Sequence, residues 1–249
     1  MSSHNSLKNA GSDHKKPLAP RRTAAIIMTA VVLLCGVMAV ADGVLELSYV
    51  PKSAVKLAAF VAIPLVLAYT LGIDLSRTAF TLPKREDETA KRVFIFSLCG
   101  GALLFAGIVG GYFLLRGVFD FSGVTDSLLD GEGVTRENFP IVALYITLCN
   151  SMVEELFFRG FAYLALSLVA GERVACIFSA AAFSLYHVAI LDGWFSPLLT
   201  ALMLLGLFVG GVLFDILAAR GRSVIPSWLF HMAANLGINT VGLILFGIL

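Results

Sequence analysis

Three formal charges, Glu154, Glu155 and Arg159, stand in the stretch MVEELFFRGF, residues 152–161, a run otherwise apolar enough to lie in a bilayer. An ionised side chain at mid-bilayer costs about 2.5–3.5 kcal/mol on insertion scales, so such groups tend to face protein or a wet cavity and to serve a function. Glu155 and Arg159 are spaced i, i+4, where opposite charges meet on one face of a helix. That spacing predicts a self-neutralising pair, a buried clip between helices. Successive helical positions are rotated by about 100°, which turns Glu154 away from the pair and into line with Thr147, Asn150 and Ser151. A polar stripe of this kind is expected to face a cavity. With no cation near Glu154 on its own helix, burial favours the neutral carboxyl, a tuning that suits a general base near neutral pH.

Two more segments carry imidazoles. Of four histidines, only His187 and His231 lie outside the polar N-terminal tail, and both fall in apolar runs, FSLYH and HMAAN. His231 and Asn235 are spaced i, i+4 and project from one helical face. Counted from the expected helix ends at about 1.5 Å per residue, His231 and Asn235 come out roughly 9 and 15 Å from one membrane face, and His187 and Glu154 roughly 20 and 24 Å from it. A common layer requires those ends to be displaced by several residues.

The elements that must position these groups are membrane helices. The chain has 249 residues, 58% hydrophobic and 14% charged, with mean hydropathy +0.89. Segments long enough to cross a bilayer are expected near 23–41, 54–73, 93–118, 139–170, 174–191, 197–217 and 225–247. The fold class is therefore all-α, a polytopic transmembrane bundle of about seven spans, with an eighth short helix around 121–130 left open. Residues 1–22 are expected to form a disordered cytoplasmic tail, and 23–249 the helical domain. Ala39-Val40-Ala41 after Arg21-Arg22 has the form of a signal-peptidase site, but an uncleaved anchor is expected.

Lys8, Lys15, Lys16, Arg21 and Arg22 fall on the same side as Arg77, Lys84, Arg85, Lys91, Arg92, Arg173, Arg220 and Arg222 when the spans alternate. By the positive-inside rule the N-terminus is cytoplasmic and the C-terminus external. The opposite loops carry Asp42, Glu46, Asp120, Asp126, Asp130, Glu132 and Asp192. A formal net charge of +1 gives no reason to expect a nucleic-acid partner. Cys35, Cys99, Cys149 and Cys176 lack CxxC spacing and read as small apolar packing residues. Two GxxxG patterns, Gly107 to Gly111 and Gly206 to Gly210, are expected to allow close helix approach.

The chain resembles the CPBP family (CAAX protease and bacteriocin-processing, also called Abi), which includes the type II CAAX prenyl endopeptidases. Three motifs carry the resemblance in order: EExxxR as Glu154, Glu155 and Arg159; FxxxH as Phe183 and His187; HxxxN as His231 and Asn235. The catalytic core would span about 139–247, whereas the first three spans match only in being hydrophobic. The resemblance implies an intramembrane endopeptidase in which Glu154 and His187 activate water and His231 and Asn235 stabilise the oxyanion. Glu155 and Arg159 would support Glu154, and Phe183 would pack.

The expected partners are the lipid bilayer and a peptide or membrane-anchored protein substrate. No cofactor is expected; the alternative is zinc on Glu154, His187 and His231, a His2Glu set with an open position, although HExxH is absent. Two other functions compete: a non-catalytic immunity or scaffold protein, and a small ion- or proton-coupled transporter using the same ionisable groups as a relay.

Overall fold

The computed structural model describes residues 19–45, 47–75, 79–80, 87–119, 121, 123, 133–191 and 195–249. Most of the tail, most of the acidic loop in which an eighth short helix is left open, and the loop charges Arg77, Lys84, Arg85, Glu46, Asp120, Asp126, Asp130, Glu132 and Asp192 lie outside them.

Among the described residues the architecture is all-helical. Helix α1 is Pro20–Gly43, α2 Tyr49–Thr70, α3 Glu88–Leu115, α4 Phe139–Ala170, α5 Glu172–Tyr186, α6 Pro197–Gly221 and α7 Ile225–Leu245. Six of the seven are long and apolar enough to cross a membrane. The exception is α5, expected over 174–191 but ending after 15 residues at Tyr186, where the chain leaves the helix through turns at 187–190. His187 is therefore the residue that caps α5 at its C-terminus, not one inside a full span.

Local chemistry explains the helix ends. Proline in the first turn opens α1, α4, α6 and α7, where its missing N–H is no loss. Asp87 caps α3 by accepting from the Ala90 N–H at 3.0 Å. Gly171, at φ +84°, breaks the chain between α4 and α5.

α4 is the most buried of the long helices and lies at the centre of the bundle. It touches α1, α2, α5, α6 and α7, while α3 runs along α7, and α1 packs against α5, the N-terminal part of α2 and the C-terminal part of α4. The core around it is aromatic: Phe60 of α2 stacks on Phe157 of α4 with centroids 4.0 Å apart, and Phe158 meets Phe183 of α5 edge-on at 5.2 Å.

The glycines that bring helices together are not those of the GxxxG patterns. A Cβ added at Gly107, Gly111, Gly206 or Gly210 would meet nothing within 4 Å. At Gly211, in contrast, it would stand 3.0 Å from the Cα of Ala180, and at Gly101 it would stand 2.9 Å from the Cβ of Ala233. GxxxG spacing puts two glycines on one helical face but does not say which face is covered. The free cysteines Cys99 and Cys149 are likewise exposed on the outer surface, and only Cys35 and Cys176 are partly buried.

Candidate functional site

Helix α4 does not keep one regular turn. Residues Ile146–Asn150 and Leu156–Ala165 are wound as π-helix, with the short α-helical stretch Ser151–Glu155 between them. The wider turn shifts the phase of the side chains, so a constant 100° per residue describes this helix only locally. Such turns recur at functional sites because they free carbonyls and re-aim side chains. Helix α7 bonds to carbonyls along this part of α4: Trp228 Nε1 donates to Leu148 O at 3.2 Å, Asn235 Nδ2 to Ile146 O at 3.2 Å, and Asn239 Nδ2 to Ala143 O at 3.0 Å. Trp228 also reaches Ser151 Oγ at 3.0 Å, and Asn239 reaches Thr147 Oγ1 at 3.0 Å. These contacts seat α7 along the face of α4 that carries the two glutamates.

The ladder places His231 on Glu154 and Glu155. Its Nδ1 lies 2.9 Å from Glu155 Oε1, and its Nε2 lies 3.7 Å from Glu154 Oε2. An ionised Glu155 can only accept, so Nδ1 carries the proton of that bond.

The approach of Glu154 and His231 corrects the depths counted from helix ends. His231 lies six residues into α7, whereas Glu154 lies sixteen before the end of α4. At about 1.5 Å per residue the start of α7 is therefore recessed by roughly 10–15 Å. It is tucked beneath Ala79, whose carbonyl accepts from Val224 N at 2.8 Å and Ser223 Oγ at 3.1 Å, all three residues being fully buried.

Glu155 and Arg159 form the expected pair, with Nη1 at 3.2 Å from Oε1. Arg159 has a second acidic partner that sequence reasoning missed, Asp215 of α6, with Nε at 3.4 Å from Oδ1. All three side chains have no exposed surface. The guanidinium lies over Phe183 and Phe214 at 4.3 and 4.8 Å from the ring centroids, and Ser179 Oγ donates to Asp215 at 3.1 Å. One signal was available in sequence: Asp215 is the only acidic residue in PLLTALMLLGLFVGGVLFDILAARG.

Glu154 also has a cation, contrary to the expectation from its own helix. Lys56 of α2 reaches across the bundle, its Nζ 2.5 Å from Glu154 Oε1 and 2.6 Å from Asn150 Oδ1. The helix that carries Glu154 has no cation beside it, and Lys56 is 98 residues away in sequence. A lysine in the otherwise apolar run AVKLAAFVAIP was the signal. The first spans are thus more than hydrophobic filler, since α2 contributes directly to this cluster.

His187 is held from its own helix, Nδ1 lying 2.7 Å from Phe183 O. Its ring is in electrostatic reach of Glu154, Lys56 and His231, and the Phe183 ring contacts both imidazoles, its centroid 4.7 Å from that of His187 and 5.8 Å from that of His231. Glu154, Glu155, Arg159 and His231 are thus in direct contact. Asn235 is bonded to the α4 backbone, and His187 borders the cluster. Among the described residues no three or more His, Cys, Asp or Glu side chains are grouped so as to hold a metal ion. Lys56 already occupies one oxygen of Glu154.

Residues 136–237 match the family model described as type II CAAX prenyl endopeptidase Rce1-like, the same family that the three motifs resemble. That segment contains every motif residue and leaves Lys56 outside it. No curated protein and no solved structure matches the chain.

Proposed function

We propose, on the premise that residues 136–237 form an Rce1-like domain of a protease family, that this multi-pass membrane protein hydrolyses peptide bonds by general-base activation of water at Glu154. The substrate is a membrane-associated peptide or protein. One observation carries the reading: the Oε2 of a buried glutamate faces an imidazole nitrogen at 3.7 Å, inside a cluster to which α2, α4 and α7 contribute.

In this mechanism Oε2 takes a proton from water as the oxygen attacks the carbonyl carbon, with His187 helping to hold the water. The carbonyl oxygen becomes an oxyanion, and His231, in its doubly protonated form, and the second N–H of Asn235 donate to it. Collapse of the tetrahedral species breaks the C–N bond, and the proton on Glu154 passes to the departing amine. Glu155 and Arg159 keep His231 and α4 in register. A preorganised donor pair of this kind is worth about 2.7–4 kcal/mol per donor in the transition state. No metal takes part in this scheme. The N-terminus is placed in the cytoplasm and the C-terminus outside, following the basic loops, an arrangement that requires the short α5 and the turns after it to carry the chain across as a seventh crossing.

Glu154→Gln preserves size and removes the base. It is expected to lower turnover by roughly 10²- to 10⁴-fold, whereas Glu155→Gln reduces turnover without abolishing it. Comparing both purified variants with the parent in a peptide-cleavage assay decides the matter, and full activity of Glu154→Gln defeats the proposal. A second test is a chelator: activity is expected to survive it, and loss with recovery on added zinc would restore the metal alternative.

The Lys56–Glu154 ion pair also supports a second reading, a non-catalytic scaffold in which the pair merely ties α2 to α4. That reading predicts no cleavage product from the parent protein and unchanged biological activity in Glu154→Gln.

A further inference from the structure

We propose that Lys56 is a positioning residue for the reaction: it fixes Glu154 Oε1 and leaves Oε2 as the single oxygen that takes the proton from water. The inference rests on the hydrolytic reading of Glu154.

The two carboxylate oxygens are treated unequally. Oε1 accepts from Lys56 Nζ at 2.5 Å and from Asn150 Nδ2 at 3.0 Å, while Asn150 Oδ1 accepts from the same ammonium at 2.6 Å. Lysine, asparagine and glutamate thus close a ring of three polar contacts, and the carboxylate plane cannot turn without breaking two of them. Oε2 is left facing His231 Nε2 at 3.7 Å, beyond hydrogen-bond length. The terminal torsion of a glutamate is broad and roughly two-fold, so an untethered carboxylate would offer either oxygen in many orientations. Tethering one oxygen selects a reactive geometry for the other, and positional errors near 1 Å can alter rates by roughly 100-fold.

The surroundings of Lys56 are built to hold the ammonium there. The side chain is largely buried, and Nζ lies 5.1 Å from the Tyr186 ring and 5.8 Å from the Phe60 ring. Phe60 is itself stacked on Phe157 of α4, three residues after Glu154. The base and its tether are therefore fixed to one another by an aromatic contact as well as by the ion pair. Lysine suits this role better than arginine, because a compact ammonium engages one oxygen where a guanidinium fork would cover both.

The test is a graded series in the full-length protein, Lys56→Gln and Lys56→Met, with kcat and KM measured separately. Lys56→Met is expected to lower kcat by roughly 10- to 100-fold with little change in KM. Lys56→Gln keeps a donor for Oε1 and is expected to recover part of that loss. A Met variant with parental kcat overturns the proposal, as does a Gln variant no better than Met when both are folded.

If Lys56→Met fails to fold, unfolding midpoints of Lys56→Gln, Glu154→Gln and their double variant supply an independent reading. Coupling between the two positions supports the tether, and additive shifts overturn it. Failure of the hydrolytic reading shows differently: the parent releases no peptide product, while the coupling persists.

Discussion

A guanidinium with no exposed surface, set beside two carboxylates, raises the question of what its burial achieves. Removing charges from water costs several kcal/mol per ion, recovered only when partners are close and well aligned. Here the contacts at 3.2 and 3.4 Å lack good hydrogen-bond alignment, and Glu155 Oε2 and Asp215 Oδ2 have no donor. The triad therefore stabilises the fold little in net terms, yet each member is needed once the others are present. Arg159→Met strands two buried acids and is expected to cost about 3–5 kcal/mol. Asp215→Asn leaves Arg159 paired with Glu155 and should cost less. Unfolding midpoints in detergent will give that order, and a reversed order would show that Arg159 is held mainly by its aromatic contacts. The i, i+4 pair was legible because helical spacing encodes it. Lys56 and Asp215 were not, because their partners lie 98 and 56 residues away and only tertiary packing brings them together.

At the scale of elements, the helices were legible from hydropathy and the contacts between them were not. Segments predicted near 139–170 and 225–247 correspond to Phe139–Ala170 and Ile225–Leu245. Their mutual register rests on Trp228, Asn235 and Asn239 reaching into carbonyls of α4, and sequence reasoning noted only the second. Trp228, His231, Asn235 and Asn239 recur at steps of three and four residues, so extending the HxxxN spacing in both directions would have found the whole face. Glycine usage gives the sharpest test of packing. Gly211→Ala drives a methyl to 3.0 Å from the backbone of Ala180, which no rotamer change relieves. It should destabilise by about 1–3 kcal/mol. Gly206→Ala meets nothing and is expected to be neutral or to add up to ~1 kcal/mol of helix stability. Thermal unfolding of the two variants decides whether the face of α6 at Gly211 or that at Gly206 is the packed one.

For the whole molecule, the feature with the widest consequence is that Glu154 meets its cation from α2, outside residues 136–237. The stretch bearing all three signatures is therefore not a self-sufficient module. Grafted without the N-terminal helices, it would keep Asn150 and His231 beside Glu154 but lose the ammonium on Oε1, and the swap of a foreign α1–α2 pair would be tolerated only if a basic side chain arrived at the same depth. Any chimera drawn along the signature boundaries would thus divide an acid from its counter-ion.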